Sequence, residues 1–157
     1  MKLLILSDSH GDSTGMCRAV ETVRPDYVIH LGDHASDARD LSRMFPMVPV
    51  AFVRGNCDFY EDTPEARLVD YDGVRVFMTH GHRQGVKSGL LRLEMTAREK
   101  NADVALFGHT HCAYCEQYNG LWLVNPGSCR GTHASCAVVE IQAGTASCRI
   151  VRLDEME

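Results

Sequence analysis

Aspartate, asparagine and histidine residues follow several short apolar runs of this 157-residue chain, at the point where each run ends. The polar ends are Asp8-Ser9-His10, Gly32-Asp33, Gly55-Asn56, His80-Gly81-His82 and Gly108-His109-Thr110-His111. Mixed carboxylate, amide and imidazole groups favour divalent Mn, Fe, Co, Ni or Zn over calcium. Because side chains two apart at an extended strand end point the same way, we expect Asp8 to converge with His10, and His109 with His111.

A metal site explains these residues better than isolated structural roles do. A single histidine at a strand end is more often structural than a metal ligand. Here, however, many polar groups would be buried together, and each one left without a partner costs on the order of 1 to 3 kcal/mol. The candidates are also too many for one ion with open positions. We therefore predict two ions that share a carboxylate, and Asp33 is the natural bridge because it follows a central strand.

The first half of the chain alternates between strand and helix patterns. Continuous apolar runs predict strands at 2–7, 26–32 and 48–55, and helical spacing predicts helices at 13–23 and 36–45. This β-α-β-α-β order predicts parallel strands joined by helical crossovers. Ligands of such sheets bind outside the carboxyl ends of the strands, which is where the polar residues lie.

The second half is richer in hairpins. The Asp72-Gly73 pair predicts a hairpin within 66–82, and short strands with glycine turns follow at 113–125 and 135–153. A helix is predicted at 89–100, with an apolar stripe packed in the core and made of Leu90, Leu91, Leu93, Met95 and Ala97. We expect a single domain over residues 1–157, an α/β (α+β) fold with two packed mixed β-sheets flanked by helices.

Composition narrows the classes of partner. The net charge is −5 and the basic residues are scattered, which argues against a polymeric nucleic-acid partner. The apolar run at the N-terminus is too short for a signal peptide or a membrane span, so we expect a cytoplasmic protein with no membrane partner. Seven cysteines indicate reduced thiols, most of them small core residues. Whether the chain forms a homo-oligomer is left open.

The ordered motifs resemble those of the calcineurin-like metallophosphoesterases, most closely the small bacterial and archaeal phosphodiesterase branch. The matching segments are Asp8-x-His10, Gly32-Asp33-x-x-x-Asp37, Gly55-Asn56-Cys57-Asp58, His80-Gly81-His82, Gly108-His109-Thr110-His111 and Asn125-Pro126-Gly127-Ser128. The resemblance implies a four-layer α-β-β-α sandwich that hydrolyses phosphate esters with two metal ions. It implies a first ion held by Asp8, His10, Asp33 and His111, and a second held by Asp33, Asn56, His80 and His109.

The expected activity is that of a phosphodiesterase. Two divalent ions roughly 4 Å apart can stabilise the attacking and leaving oxygens and lower the pKa of a bound water towards about 7. A metal-bridging hydroxide would then attack phosphorus in line. We expect catalytic roles for Asn56, Asp33 and His82, although His82 could equally support another residue of the site or face solvent. Mn²⁺ is the expected ion, with Ni²⁺, Co²⁺, Fe²⁺ or Zn²⁺ as alternatives.

Cys57 departs from the resemblance, because many members carry a histidine at this position. A thiol with a pKa near 8.5 is a poor substitute for imidazolium as a proton donor. We therefore favour small phosphodiesters, nucleotide-derived ones included, over monoesters. Two alternatives remain: a non-catalytic metal-binding scaffold or interaction protein of the same fold, and a single-metal or redox module built on cysteines.

Four further polar residues receive structural predictions. His30 is expected to donate a hydrogen bond that holds a strand or a ligand. Asp12 and Asp37 are expected to cap helices. Asp58 is predicted either to orient a ligand or to hold the loop of Cys57.

Residues after the last histidine motif are harder to place from sequence. Cys112 and Cys115 are expected to pack beneath the site, since no second cysteine pair with matching spacing supports a zinc site. Arg130 and His133 could reach a phosphate, or they could be solvated loop residues.

Overall fold

The computed structural model describes residues 1–59 and 62–156 of the chain. The strands are β1 (Lys2–Leu6), β2 (Tyr27–His30), β3 (Val50–Phe52), β4 (Ala66–Tyr71), β5 (Val74–Thr79), β6 (Val104–Leu106), β7 (Tyr114–Tyr118), β8 (Leu121–Asn125), β9 (Ser135–Gln142) and β10 (Thr145–Arg152). The α-helices are α1 (Ser13–Val23), α2 (Ala35–Met44) and α3 (Leu91–Glu99). Short 3-10 helices span Val86–Ser88 and Leu153–Glu155.

The strands form two five-stranded mixed sheets. The first sheet has the order β10-β9-β1-β2-β3, in which β1, β2 and β3 are parallel and β9 and β10 run antiparallel. The second has the order β4-β5-β6-β8-β7, with β5, β6 and β8 parallel and the two edge strands antiparallel. The predicted β-α-β-α-β order of the first half is confirmed.

Three apolar clusters hold the layers together. Alternate residues of β1 show the arrangement, since Leu3 and Ile5 face the second sheet while Leu4 and Leu6 face the α1 and α2 side. The third cluster lies between the second sheet and α3, and includes Phe77. A strand covered on both faces needs a continuous apolar run, which is why the KLLIL segment of β1 carries no alternation. The predicted sandwich of two sheets flanked by helices is confirmed.

The predicted hairpin is present, whereas the predicted stripe of α3 is partly wrong. Asp72 and Gly73 join β4 to β5 with φ angles of 53° and 87°, the left-handed backbone that a two-residue type I′ turn requires. On α3, Leu93 is buried, but Leu91 and Met95 are 68% and 54% exposed. Only one face of this short helix meets the sheet, and those two residues point away from it.

None of the helices in the described part of the chain is long and apolar enough to cross a membrane. All seven cysteines lie in that part, and each is a free thiol. Cys129, Cys136 and Cys148 are buried in the core, Cys17 and Cys115 pack partly buried against it, and Cys57 and Cys112 are exposed, so most of the cysteines pack in or against the core as expected.

Candidate metal centre

The polar strand ends meet where the carboxyl ends of the two sheets come together. Asp8 and Asp33 follow β1 and β2 of the first sheet, while His80 and His109 follow β5 and β6 of the second. The site therefore lies between two sheets rather than at one sheet edge. The packing of the two sheets against each other brings the candidate ligands of both sheets together.

Left-handed backbone turns aim most of the candidate ligands. Five of them have positive φ angles: Asp8 (54°), His10 (46°), Asp33 (56°), His109 (70°) and His111 (61°). Residues other than glycine rarely adopt this conformation, and such strain concentrates at functional sites. Because the backbone turns here instead of continuing as a strand, the alternation argument that placed His109 and His111 together does not apply.

The first group of candidate ligands consists of Asp8, His10, Asp33 and His111. One ligand atom from each lies within 4.8 Å of the others. Nε2 of His111 is 3.1 Å from Oδ1 of Asp8. Asp8 and Asp33 are buried and His111 is exposed, so the group extends from the interior to the surface.

The second group consists of Asp33, His80 and His109, with ligand atoms again within 4.8 Å of one another. Nε2 of His80 lies 3.5 Å from Oδ2 of Asp33 and 3.9 Å from Oδ1 of Asp8. Asp33 belongs to both groups, as expected for a shared carboxylate. His109 and His111, however, fall into different groups.

Hydrogen bonds determine which nitrogen of His80 faces the carboxylates. Nδ1 lies 2.8 Å from the carbonyl oxygen of Leu31, so Nδ1 carries a proton and donates it there. This leaves Nε2 directed at Asp33 and Asp8. Burial by itself would lower the pKa of His80, but the two carboxylates outweigh it and raise the pKa above the usual range. For Asp33 the signs are reversed. Burial by itself would raise the pKa of this carboxylate, but its contact with His80 holds the pKa well below its ordinary value.

Several buried atoms at the centre have no hydrogen-bond partner among the described residues, including Oδ1 of Asp8, Nε2 of His10 and Nε2 of His80. Each such group costs about 1 to 3 kcal/mol when left unsatisfied. The other oxygen of Asp8 is occupied, since it accepts bonds from the Ser7 hydroxyl at 2.6 Å and the His109 amide at 3.2 Å. These three unsatisfied atoms belong to residues of the two groups, and their carboxylate and imidazole chemistry fits divalent metal ions.

The turn after β3 contacts Asp33 directly. The Cys57 amide donates to Oδ1 of Asp33 at 3.0 Å, and a Cβ atom at Gly55 would collide with the same oxygen. Asn56, between them, is exposed, with its Nδ2 3.7 Å from the Cys57 sulfur. Asn56 therefore adjoins the shared carboxylate.

Asp58 holds the Asp33 turn in place. One of its oxygens accepts bonds from the amides of Asp33 and Gly55 at 2.9 and 2.7 Å. The other accepts bonds from the amides of His34 and Ala35, at the start of α2, at 2.9 and 3.0 Å. Asp58 therefore fills both roles left open for it, because it orients the candidate ligand Asp33 and also holds the turn that carries Cys57.

His82 lies beside the second group. Its ring centroid is 5.5 Å from that of His80 and 6.2 Å from that of His109. Its Nε2 is 3.9 Å from a carboxylate oxygen of Glu65, a residue that the sequence did not single out. Burial and then His80 lower the pKa of His82. Together with Asn56, His82 lines a cavity of about 390 Å³.

A buried hydrogen-bond chain supports the loop that carries His10. The Gly32 amide donates to Nδ1 of His30 at 3.1 Å, so Nε2 of His30 carries the proton and donates to the Ser9 hydroxyl at 2.9 Å. The Ser9 hydroxyl and the Gly11 amide both donate to one oxygen of Asp37, at 2.6 and 2.8 Å. The structural role predicted for His30 is confirmed. The cap predicted for Asp37 is wrong, because its carboxylate accepts these two bonds instead.

Asn125 supports the loop that carries the last two histidines. Its Nδ2 donates to the Gly108 carbonyl oxygen at 3.1 Å and to the Thr110 hydroxyl at 3.0 Å. Its Oδ1 accepts the Gly127 amide at 2.8 Å. The Asn125-Pro126-Gly127-Ser128 segment entered the sequence analysis only as a motif of the family resemblance, and no sequence pattern predicted that Asn125 supports this loop.

The remaining predicted residues have mixed outcomes. Asp12 occupies the N-cap position of α1 but makes no side-chain capping bond. Cys115 packs partly buried against the inter-sheet core, whereas Cys112 is exposed, so packing beneath the site is wrong for Cys112. His133 is exposed and lies near Arg152, with 3.3 Å between Nδ1 and the guanidinium. Arg130 lines a cavity with His10 and His111.

Two mixed sheets flanked by helices, with polar loops at their shared carboxyl end, define the metallophosphoesterase class of α+β sandwiches. Residues 1–144 match the family described as the calcineurin-like phosphoesterase superfamily domain. The chain belongs to this superfamily.

Known proteins similar to this chain carry matching descriptions. Probable metallophosphoesterase YsnB of Bacillus subtilis is 37% identical over 132 residues, which cover 83% of this chain and 76% of YsnB. Phosphodiesterase MJ0936 of Methanocaldococcus jannaschii is 29% identical over 150 residues, covering 83% and 86% of the two chains. The crystal structure of a predicted phosphoesterase from Streptococcus pneumoniae is 30% identical with a TM-score of 0.79, covering 98% of this chain and 90% of that one.

Proposed function

We propose that the chain is a dinuclear, metal-dependent phosphodiesterase that hydrolyses small phosphodiesters, with Mn²⁺ as the expected ion. Membership of the phosphoesterase superfamily supports the reaction type. Similarity to a protein named as a phosphodiesterase supports diesters as the substrate class.

The observation that carries the proposal is the pair of ligand groups that share Asp33. Buried and unpartnered ligand atoms at Asp8, His10 and His80 give the centre a physical need for cations. A scaffold that binds no metal would leave these atoms unsatisfied in the interior. A metal-binding scaffold would satisfy them as an enzyme does, so turnover is the test that separates the two. No contact among the described residues specifically favours the scaffold alternative.

Under this proposal the first ion is held by Asp8, His10, Asp33 and His111, and the second by Asp33, Asn56, His80 and His109. Bound divalent ions would supply positive charge for the phosphoryl oxygens and a water of lowered pKa.

The chain's own groups orient these ligands and the substrate. The Leu31 carbonyl oxygen keeps the proton of His80 on Nδ1, and Ser7 leaves only one oxygen of Asp8 free for the centre. Asn56 offers an amide oxygen to the second ion and an NH₂ group that can donate to a phosphoryl oxygen. His82 lines a cavity together with Asn56 and would contact an ester substituent there.

The decisive variant is Asp33→Asn, which preserves shape but removes the shared negative charge. We expect wild-type protein to bind two Mn²⁺ ions per chain and to hydrolyse bis(p-nitrophenyl) phosphate. In the variant we expect fewer than two ions and a loss of at least about 100-fold in kcat/KM, since the two ions act as a unit. Metal content by elemental analysis and initial rates after reconstitution with Mn, Ni, Co or Zn test this.

Asp40→Asn is the matched control, because Asp40 is exposed on α2 and pairs with Arg43. It should bind and turn over like wild type. Tight metal binding without turnover of any diester or monoester would reject the enzyme and leave the scaffold. A stoichiometry of one ion in active wild-type protein would reject the dinuclear centre alone.

A further inference from the structure

The loop after β8 is tied to the same strand end that carries Asp8. The Ser128 hydroxyl donates to the Asp8 carbonyl oxygen at 2.8 Å and accepts the Arg130 amide at 3.2 Å. The Cys129 amide donates to the Ser7 carbonyl oxygen at 3.1 Å. These bonds hold the backbone of Arg130 beside the first ligand group.

Arg130 lines an open cavity of about 500 Å³ together with His10, His111, Ser128 and Gly131. Two of these residues, His10 and His111, are candidate ligands of the first ion. The lining contains no carboxylate. Among nearby acids, Asp8 is buried, with its Oδ1 3.1 Å from Nε2 of His111, and Asp12 and Asp154 line a neighbouring groove.

The guanidinium of Arg130 makes no hydrogen bond or ion pair with residues 1–59 or 62–156, and the side chain is exposed. The cavity lined by Asn56 and His82 has a different arrangement of charge. There the arginines Arg54 and Arg83 both pair with Glu65, at 3.2 and 2.9 Å. Positive charge is therefore compensated in the second cavity but not beside His10 and His111.

A phosphodiester carries two substituents. Two members of the first ligand group, His10 and His111, line one cavity, and Asn56 and His82, which lie next to the second group, line another. We propose that Arg130 binds an anionic group on the substituent that enters the His10 and His111 cavity. The preferred substrates would then be phosphodiesters whose substituent carries a carboxylate or a second phosphate, groups that a guanidinium binds through paired charge-assisted hydrogen bonds. This inference rests on the proposed function, because it assumes that the phosphate of the diester lies at the metal centre.

Non-hydrolysable phosphonates measure the contribution of Arg130 to ligand binding separately from the hydrolysis reaction. The probes are butylphosphonate, 4-phosphonobutyrate and propane-1,3-diphosphonate, which have similar lengths but end in a methyl, a carboxylate and a phosphonate group. In Mn²⁺-loaded wild-type protein, calorimetric titration should give about tenfold tighter binding of an anionic probe than of butylphosphonate. The anionic probe with the larger gain identifies the preferred group.

Arg130→Gln should abolish this preference and leave the affinity for butylphosphonate within about twofold of wild type, a change of roughly 0.4 kcal/mol. The matched control is Arg24→Gln, because Arg24 follows α1 at the end remote from the centre and should retain the full preference. A preference that survives in Arg130→Gln would overturn the proposal. So would equal affinities for all three probes in wild type, or an equal loss for all three in the variant.

Hydrolysis of bis(p-nitrophenyl) phosphate by the same samples tests the proposed phosphodiesterase function separately from the anion-binding role of Arg130. Turnover without an anion preference would reject the role of Arg130 and leave the proposed function intact. Absence of turnover would reject the proposed function, and the phosphonate affinities would still decide whether Arg130 recognises an anion.

Discussion

Single hydrogen bonds at the centre determine which atom of each candidate ligand is free. Ser7 and the His109 amide occupy one oxygen of Asp8 and leave the other without a hydrogen bond, facing Nε2 of His111 at 3.1 Å. In the ring of His80, the Leu31 carbonyl oxygen accepts a hydrogen bond from Nδ1 and leaves Nε2 without one. Such outer partners orient metal ligands and raise their basicity, so changes in them alter metal affinity without removing a ligand.

Cys57 is the residue at which the substrate preference of the chain can be shifted. Partial desolvation and the Asp33 carboxylate raise the pKa of its thiol, so the thiol stays protonated and is a weak acid at neutral pH. We expect Cys57→His to raise the ratio of monoesterase to diesterase activity by about tenfold, because an imidazolium can bind a phosphate dianion or protonate a leaving group. Rates on p-nitrophenyl phosphate and its bis ester measure this ratio.

Cys57→Ala is the control, since it removes the thiol without adding an imidazole. Its activity ratio should stay at the wild-type value. An unchanged ratio in the histidine variant as well would reject the idea that residue 57 sets the preference.

Elements of the first sheet carry the ligand loops, and α2 joins them. Asp58 connects the start of α2 to the Asp33 turn, while Asp37, within α2, accepts bonds from the loop of His10. Movement of this helix would therefore displace two ligand loops together. Asp37 is the better test of this coupling, because it is buried and contacts no candidate ligand side chain in any hydrogen bond of the described residues.

Asp37→Ala should destabilise the protein by about 1 to 3 kcal/mol, because the buried Ser9 hydroxyl and the Gly11 amide lose their acceptor. It should also weaken Mn²⁺ binding by about 10 to 100-fold through displacement of His10. Urea denaturation with chelator present and calorimetric Mn²⁺ titration give the two quantities. Asp40→Ala, on the exposed face of the same helix, should change neither. Wild-type metal affinity in Asp37→Ala would show that the helix does not position His10.

Across the whole molecule, the buried imidazole of His30 makes stability depend on pH. Burial lowers its pKa to about 4, partly offset by Asp8 and Asp37. The unfolded chain, with a histidine pKa near 6.5, therefore binds more protons than the folded chain between these two values. The free energy of unfolding should fall as pH decreases through this window, by up to about 1.4 kcal/mol per pH unit from His30 alone.

Denaturation of wild type and His30→Gln at pH 7 and pH 5, both with chelator, tests this dependence. The variant should lose about 2 kcal/mol less than wild type over that interval, because carboxylate titrations are common to both proteins. Parallel losses would contradict it. If the variant does not fold, an NMR titration of His30 in wild type gives its pKa directly, and a value near 6.5 would contradict the prediction.

Local patterns in the sequence predicted the sheets and helices of the sandwich, and they identified the carboxylate, amide and imidazole side chains at the centre. Apolar runs such as that of β1 predicted strands buried on both faces, and Asp72-Gly73 predicted the hairpin, because each depends on neighbouring residues only. The polar residues that follow these strands were identified in the same way, because each comes directly after an apolar run in the sequence. The stripe of α3 was partly wrong because spacing alone cannot say how wide a face the sheet covers, and Leu91 and Met95 lie outside it.

The family resemblance implied the division of the ligands between two ions, and the two groups in the structure agree with it. Strand alternation alone implied a different division, and only the tertiary structure decided what supports each ligand. His109 and His111 are two residues apart, yet left-handed turns and the packing of two sheets place them in different groups. Asp37, Asp58 and Glu65 act on loops or side chains that are distant in sequence. Their partners depend on how the helices and sheets meet, and no local pattern contains that information. The same holds for Arg130, whose place beside His10 follows from a loop bonded across 120 positions to Asp8.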